Sequence, residues 1–158
     1  MLRDRITLGI ITGLVGNAAK NAVDMVLGGK KPARLDFAGI AARVFVPERE
    51  ATTGAGRLLG KVADYGLAAV YGIPTVYLLS FTGADKHLLK GSLMGVLTWG
   101  FGLGLARKMG LGDAHPLGAG TNLRMLVAHV AGGMVTAQLA VSLGAPELFR
   151  DRSGDGYP

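Results

Sequence analysis

Four stretches of the chain are apolar over lengths suited to crossing a membrane, and polar residues interrupt each of them at helical spacing. The first runs from Ile6 to Leu27, the second from Leu58 to Phe81, the third from Leu88 to Ala106 and the fourth from Met125 to Ala145. A spanning helix needs about 20 mostly apolar residues. The third stretch is uncharged from Gly91 onward, and the fourth carries no charge at all. A helix of a soluble bundle shows a charged face opposite its apolar stripe, and these two have none. The pattern therefore predicts an all-α polytopic membrane protein with four transmembrane helices, in preference to a soluble four-helix bundle. Asn17, Lys20 and Asp24 stand where a small-residue cleavage site would follow an apolar core, which argues against a cleavable signal peptide.

Between the first two spans, residues 35–46 (LDFAGIAARVFV) place Phe37, Ile40, Ala41 and Val44 on one helical face. The segment is too short to span, and it predicts an interfacial amphipathic helix in the first loop, with a plain loop as the other reading. Residues 1–146 then form one transmembrane domain. Residues 147–158 read as a polar flexible tail.

Helical residues three, four and seven apart share a face. On the first span Asn17, Lys20, Asn21 and Asp24 form one polar stripe, with Lys20 and Asp24 close enough in sequence to pair. On the second, Lys61, Asp64 and Tyr71 line up; on the fourth, His129 shares a side with Gly132 and Gly133. Lipid cannot solvate a charge, so these faces should turn inward and meet. The span boundaries put the charged groups within about 4 to 11 Å of one membrane face. The cluster reads as a buried ion-pair knot or as a pocket open to one side. It does not read as a continuous polar pore.

Composition supports the membrane reading. Of 158 residues, 49% are hydrophobic and 18% charged, against about 25% charged in an ordinary soluble domain. The mean hydropathy is +0.37. There are 26 glycines, roughly twice the usual share of about 7%, and they fall inside the apolar runs. Gly91, Gly95, Gly102, Gly132 and Gly133 are the expected helix-packing positions, since small residues let membrane helices approach closely. They leave open whether the neighbour is in the same chain or another. The formal charge of +6 falls mostly beside the apolar runs, so it points to lipid head groups and not to nucleic acid. Ten basic residues lie in or beside loops one and three and six on the other side, a bias that places those loops in the cytoplasm.

Candidate chemistry is sparse. The chain has no cysteine, which removes disulfides and thiolate metal sites. Asp113 and His115 in GDAHP supply too few ligands for a metal site, and GFGLGLA lacks the preceding strand of a nucleotide-binding loop. No catalytic residue, metal or cofactor is expected, and the chain is not read as an enzyme; a lipid-modifying enzyme at the loop-one surface, acting through Asp113, His115 and His129, is the third and weaker reading.

The stretches RDRITLGIITGLVGNAAKNAVD, LLGKVADYGLAAVYG and DKHLLKGSLMGVLTWG together resemble a group of small, uncharacterised bacterial membrane proteins. The resemblance implies a four-helix, multi-pass protein of the bacterial cell membrane and no particular activity. The function expected from the whole pattern is an accessory or scaffold subunit. Its partners would be the lipid bilayer and either itself or another membrane protein, docked through glycine-rich helix faces. The alternative is a small transporter or an ion- or solute-binding protein that uses the polar cluster as a pocket.

Overall fold

Helix caps and small-residue contacts set the architecture of this chain. A computed structural model describes residues 1–28, 37–108 and 118–149. The helices are α1 (Arg5–Gly28), α2 (Phe37–Ala42), α3 (Glu48–Ala51), α4 (Gly54–Thr82), α5 (His87–Lys108) and α6 (Ala119–Leu143), followed by a 3-10 turn at Pro146–Leu148. The chain is thus all-α, and α4, α5 (His87–Ala106) and α6 are long and apolar enough to cross a membrane. Helix α1 has 24 residues, but its second half carries Asn17, Lys20, Asn21 and Asp24, and length and composition alone do not mark it as a span.

The caps follow from local sequence. Asp4 precedes α1 and accepts the Thr7 N–H at 2.6 Å, which holds its carboxyl below the usual carboxylate range. Thr53 opens α4 by accepting from the Gly56 N–H at 3.1 Å. Gly83 closes α4 with φ 90, a left-handed geometry that suits glycine. Lys90 then folds back from α5 and donates to the α4 carbonyls of Thr82 (3.1 Å) and Gly83 (2.9 Å). A cation there satisfies orphan acceptors at the negative end of the helix. The same ammonium bonds Asp85 and holds that carboxyl low.

Helix α1 is the centre of the arrangement. Its buried residues are Leu8, Gly9, Thr12, Gly13, Gly16, Asn17 and Lys20, a continuous stripe at the helical period. One side of this stripe packs on α4 and the other on α6, and α5 packs on the far side of α6. Glycine makes these contacts close. A Cβ on Gly9 would lie 2.6 Å from Ile73 Cα, and one on Gly72 would strike the backbone of Gly9 and Gly13. Gly91 and Gly95 of α5 meet the α6 backbone at Gly133 and His129, while Gly132 abuts Gly16 and Lys20 of α1. Four of the five expected packing glycines therefore make helix contacts within this chain. Gly102 does not: nothing lies within 4 Å of its Cβ position.

The chain ends meet at one end of the bundle. The Leu2 N–H donates to Leu143 O and the Ala145 N–H to Leu2 O, both at 2.8 Å. Leu8, Val76, Leu79, Ala137, Ala140, Ala145, Leu148 and Phe149 close that end with an apolar core. The expected boundary of a flexible tail at residue 147 consequently falls too early. Leu148 and Phe149 are packed parts of the fold, because two apolar residues after the 3-10 turn have a core to enter.

The first-loop helix also differs from the expectation for residues 35–46, of which 35 and 36 lie outside the described residues. Helix α2 is six residues long and packs on α4, with Ala41 and Ala42 buried. Its apolar face turns into the bundle, because Gly60 of α4 lets the Ala38 carbonyl approach closely. The surface that remains outside is apolar. Ile6, Val15, Met25 and Val26 on α1, Val62 and Val70 on α4, Leu89 and Leu97 on α5 and Leu123 on α6 are all exposed, while Asn17 and Lys20 are buried. That distribution inverts the one found in a soluble domain.

Candidate functional site

The inward stripe of α1 ends in Asn17 and Lys20, and the wall of α4 facing it carries Asp64. Lys20 Nζ lies 2.7 Å from Asp64 Oδ1. The other carboxylate oxygen accepts from Asn17 Nδ2 at 2.8 Å and from Asn21 Nδ2 at 3.2 Å. Three donors thus surround one carboxylate, with side-chain exposures of only 8% for Lys20 and 14% for Asp64. Removing ions from water costs several kcal/mol each, and only close pairing with further hydrogen bonds returns it. The two asparagines supply those further bonds.

Helix α2 covers this pair. The Lys20 ammonium sits 4.1 Å from the centroid of the Phe37 ring, a cation–π contact. Phe37 in turn meets His129 edge to face, with centroids 5.0 Å apart. His129 Nδ1 lies 2.8 Å from the Met125 carbonyl oxygen. A carbonyl only accepts, so Nδ1 carries hydrogen, and the lone pair of the uncharged ring is then on Nε2.

Asp24 does not join this network or pair with Lys20 along the helix. Its Oδ1 lies 3.0 Å from Arg124 Nε, with both side chains about as buried as Asp64. The two atoms are close but poorly aligned as a hydrogen bond, so the contact is an ion pair held by charge. Lys61 was expected in the cluster and is instead exposed, without an ion pair among the described residues. It stands seven residues into α4 and its long stem carries the charge outward. The helices also begin earlier than the apolar runs suggest. Asp64 and His129 each lie ten residues inside α4 and α6, or about 15 Å along the axis from the helix starts.

Above the Lys20–Asp64 pair the bundle is open. Helices α4 and α5 touch each other sparingly, and a cavity of about 310 Å³ lies between them, walled also by α1, α2 and α6. Small-molecule sites span about 300 to 1,000 Å³. The polar side of the wall is Asn17, Lys20, Asp64 and His129. Across from it, Tyr71 of α4 meets Phe101 of α5 edge to face, with centroids 6.2 Å apart. Trp99 also lines the space, and its Nε1–H is buried without a hydrogen-bond partner. Gly102 borders the same cavity, which explains its open Cβ position.

The structure thus brings Asn17, Lys20, Asn21 and Asp64 into contact, places Tyr71 and His129 on the wall of the same cavity, and separates Asp24 and Lys61 from it. Phe37, Trp99 and Arg124 are the site residues that polar spacing alone does not find. Asp113 and His115 lie outside the described residues. Among the described residues, no cluster of three or more His, Asp or Glu side chains could hold a metal ion.

Breaking a buried pair by removing one partner costs about 3–5 kcal/mol, whereas replacing both by apolar residues is often neutral. Asp64→Leu or Lys20→Met alone should therefore lower unfolding stability in detergent or bicelles by that order. The double variant should regain most of the loss; additive losses in the cycle would show that the two groups do not interact. Comparison with models of protein families, with curated proteins and with solved structures finds no match for this chain.

Proposed function

We propose that this chain is a four-span integral membrane protein whose cavity between α4 and α5 is a ligand-binding cleft, with the Lys20–Asp64 pair as its polar floor. The observation that carries the reading is the cavity itself. A void of about 310 Å³ beside buried ionised groups and an unpartnered indole N–H is unexpected in a bundle whose other helix contacts are glycine-tight.

The fourth span in this reading is α1. Its outward face carries Ile6, Ile10, Val15, Met25 and Val26, so beyond the exposed Thr7 near its start the face offered to lipid is apolar. Its charged and amide groups point to α4 and α6. Hydropathy averaged around the helix does not separate those two faces, whereas burial does. A cell membrane is the location implied, and its bacterial origin rests on the resemblance alone.

The scaffold reading is the second choice. Gly91, Gly95, Gly132 and Gly133 are already occupied by partners in this chain. It retains one supporting observation: Gly100, Gly102 and Gly104 of α5 face open space, and two of these lie beyond the cavity wall. An accessory protein docking there would lose its complex on Gly100→Leu.

The chain has no cysteine, which makes single-cysteine topology mapping direct. With four spans, thiols at Arg3→Cys and Lys86→Cys should be labelled by an impermeant maleimide from one side of sealed vesicles, and Thr52→Cys from the other. Native mass spectrometry of the protein extracted from its membrane should show a bound small molecule. Gly102→Leu, which adds a side chain at the cavity wall where a Cβ meets no atom within 4 Å, should lose it. Labelling of Arg3→Cys and Thr52→Cys from the same side would contradict the four-span reading, and identical spectra for both proteins would contradict the cleft.

A further inference from the structure

The rim of the cleft and the unused valences on its wall define the chemistry of an occupant; this step rests on the binding reading above. Beside the exposed Gly102, the exposed side chains that border the cavity are Val44, Leu67, Phe101 and Leu105, at 43%, 49%, 60% and 42% exposure. All are apolar, and they lie on the same outward surface as the lipid-type residues of α4 and α5. A molecule entering between α4 and α5 passes apolar side chains first and meets polar groups only at the inner wall. A hydrated solute would have to shed its water at that rim, where nothing offers a hydrogen bond. A molecule already dissolved in hydrocarbon would not.

The inner wall is electrically balanced. Lys20 is matched by Asp64 at 2.7 Å, and the nearby Asp24 by Arg124 at 3.0 Å. A charged head group would add an uncompensated ion to a poorly hydrated space. Hydrogen-bonding capacity does remain. Three donors fill most of the roughly four acceptor sites of Asp64, whereas the Lys20 ammonium has one hydrogen-bond acceptor for its three N–H groups. Nε2 of His129 is an acceptor while the ring is neutral, and the Trp99 Nε1–H, although unpartnered, is buried away from a water-sized occupant. An uncharged oxygen that can both accept and donate fits this set. Apart from Tyr71 and the hydroxyls of Thr75, Thr98 and Thr136, which donate back to carbonyls of their own helices, the rest of the wall, with Gly13, Gly72, Met94 and Leu103, is apolar and lined by small or pliable residues. That surface suits a chain better than a rigid polar solute.

We propose that the cleft binds a single-chain amphiphile with a hydroxyl head, a long-chain alcohol, taken up from the bilayer between α4 and α5 with its oxygen at the Lys20–Asp64–His129 wall. Trp99 is the only tryptophan in the chain and lines the cavity, so it reports occupancy directly. The experiment uses the full chain in phosphatidylcholine vesicles, titrated with stearyl alcohol brominated at mid-chain, with Trp99 fluorescence as the readout. Quenching should saturate with added alcohol and be reversed by unbrominated oleyl alcohol. Gly102→Leu should weaken the saturable part about tenfold or more, a change equal to about 1.4 kcal/mol. Gly100→Leu, outside the cavity, should match the wild type.

The reversal by oleyl alcohol needs only the wild-type chain, so the proposal stays testable even if a variant fails to fold. Quenching that rises linearly with bromine content, unaffected by oleyl alcohol, overturns the proposal. Acrylamide then separates the two levels of the account. If this water-soluble quencher reaches Trp99 in the wild type and is blocked in Gly102→Leu, a cleft for polar solutes remains and only the amphiphile falls. If neither quencher distinguishes the two proteins, the binding cleft falls as well.

Discussion

The contact between Lys20 and Asp64 constrains everything around it. A lysine in the middle of an apolar bundle needs an anion within hydrogen-bond reach, and that anion needs its remaining lone pairs filled. Asp64 provides the first, and Asn17 and Asn21 fill lone pairs on its other oxygen. The pairing fixes the rotation of α1, because Lys20 can meet α4 only if the stripe from Leu8 to Lys20 faces inward. That rotation presents Ile6, Ile10 and Val15 to the outside and leaves Gly9, Gly13 and Gly16 against the neighbouring backbones. A polar interaction thus sets the register, and close van der Waals packing exploits it.

The open side of the bundle has a related cause. Three helix contacts, α1 with α4, α1 with α6 and α5 with α6, are glycine seams in which backbones nearly touch. The fourth possible contact, α4 with α5, has no such seam. Tyr71 and Phe101 face each other there, with Trp99 on the same wall. Bulky side chains keep two helices apart that are joined by a connection of only four residues, 83–86. The cavity lies where no glycine seam draws α4 and α5 together. Helix α2 then roofs its polar side by laying Phe37 over Lys20 and against His129.

Much of this is legible in the sequence because helical periodicity survives in a membrane. The spacing of Asn17, Lys20, Asn21 and Asp64 points to one shared interior, and four of the five expected packing glycines sit in backbone contacts. The failures have physical reasons. Asp24 takes Arg124 as its partner, and Arg124 lies outside an apolar run that begins at Met125, although α6 itself begins at Ala119. Helix ends outrun apolar ends wherever a long cationic side chain can reach a partner or water. Lys61 shares a face with Asp64 by angle but lies nearer the helix start, where it faces outward. Gly102 resembles the packing glycines by composition and differs only in having no neighbour, which is a tertiary fact. Phe37 and Trp99 carry no polar periodicity to betray them.

The distance between the Lys20 ammonium and the Asp64 carboxylate in a hydrated bilayer tests the central claim most directly. Solid-state NMR dipolar recoupling between 15N-labelled Lys20 Nζ and 13C-labelled Asp64 Cγ, in lipid vesicles, should show strong dephasing consistent with the 2.7 Å N–O contact. The Lys20 dephasing should collapse in Asp64→Asn protein labelled at aspartate carboxyls, whereas the separate Lys90–Asp85 contact at 3.1 Å should be unaffected. Absence of dephasing in the wild-type chain, with the lysine ammonium in contact with lipid phosphate instead, would contradict the account.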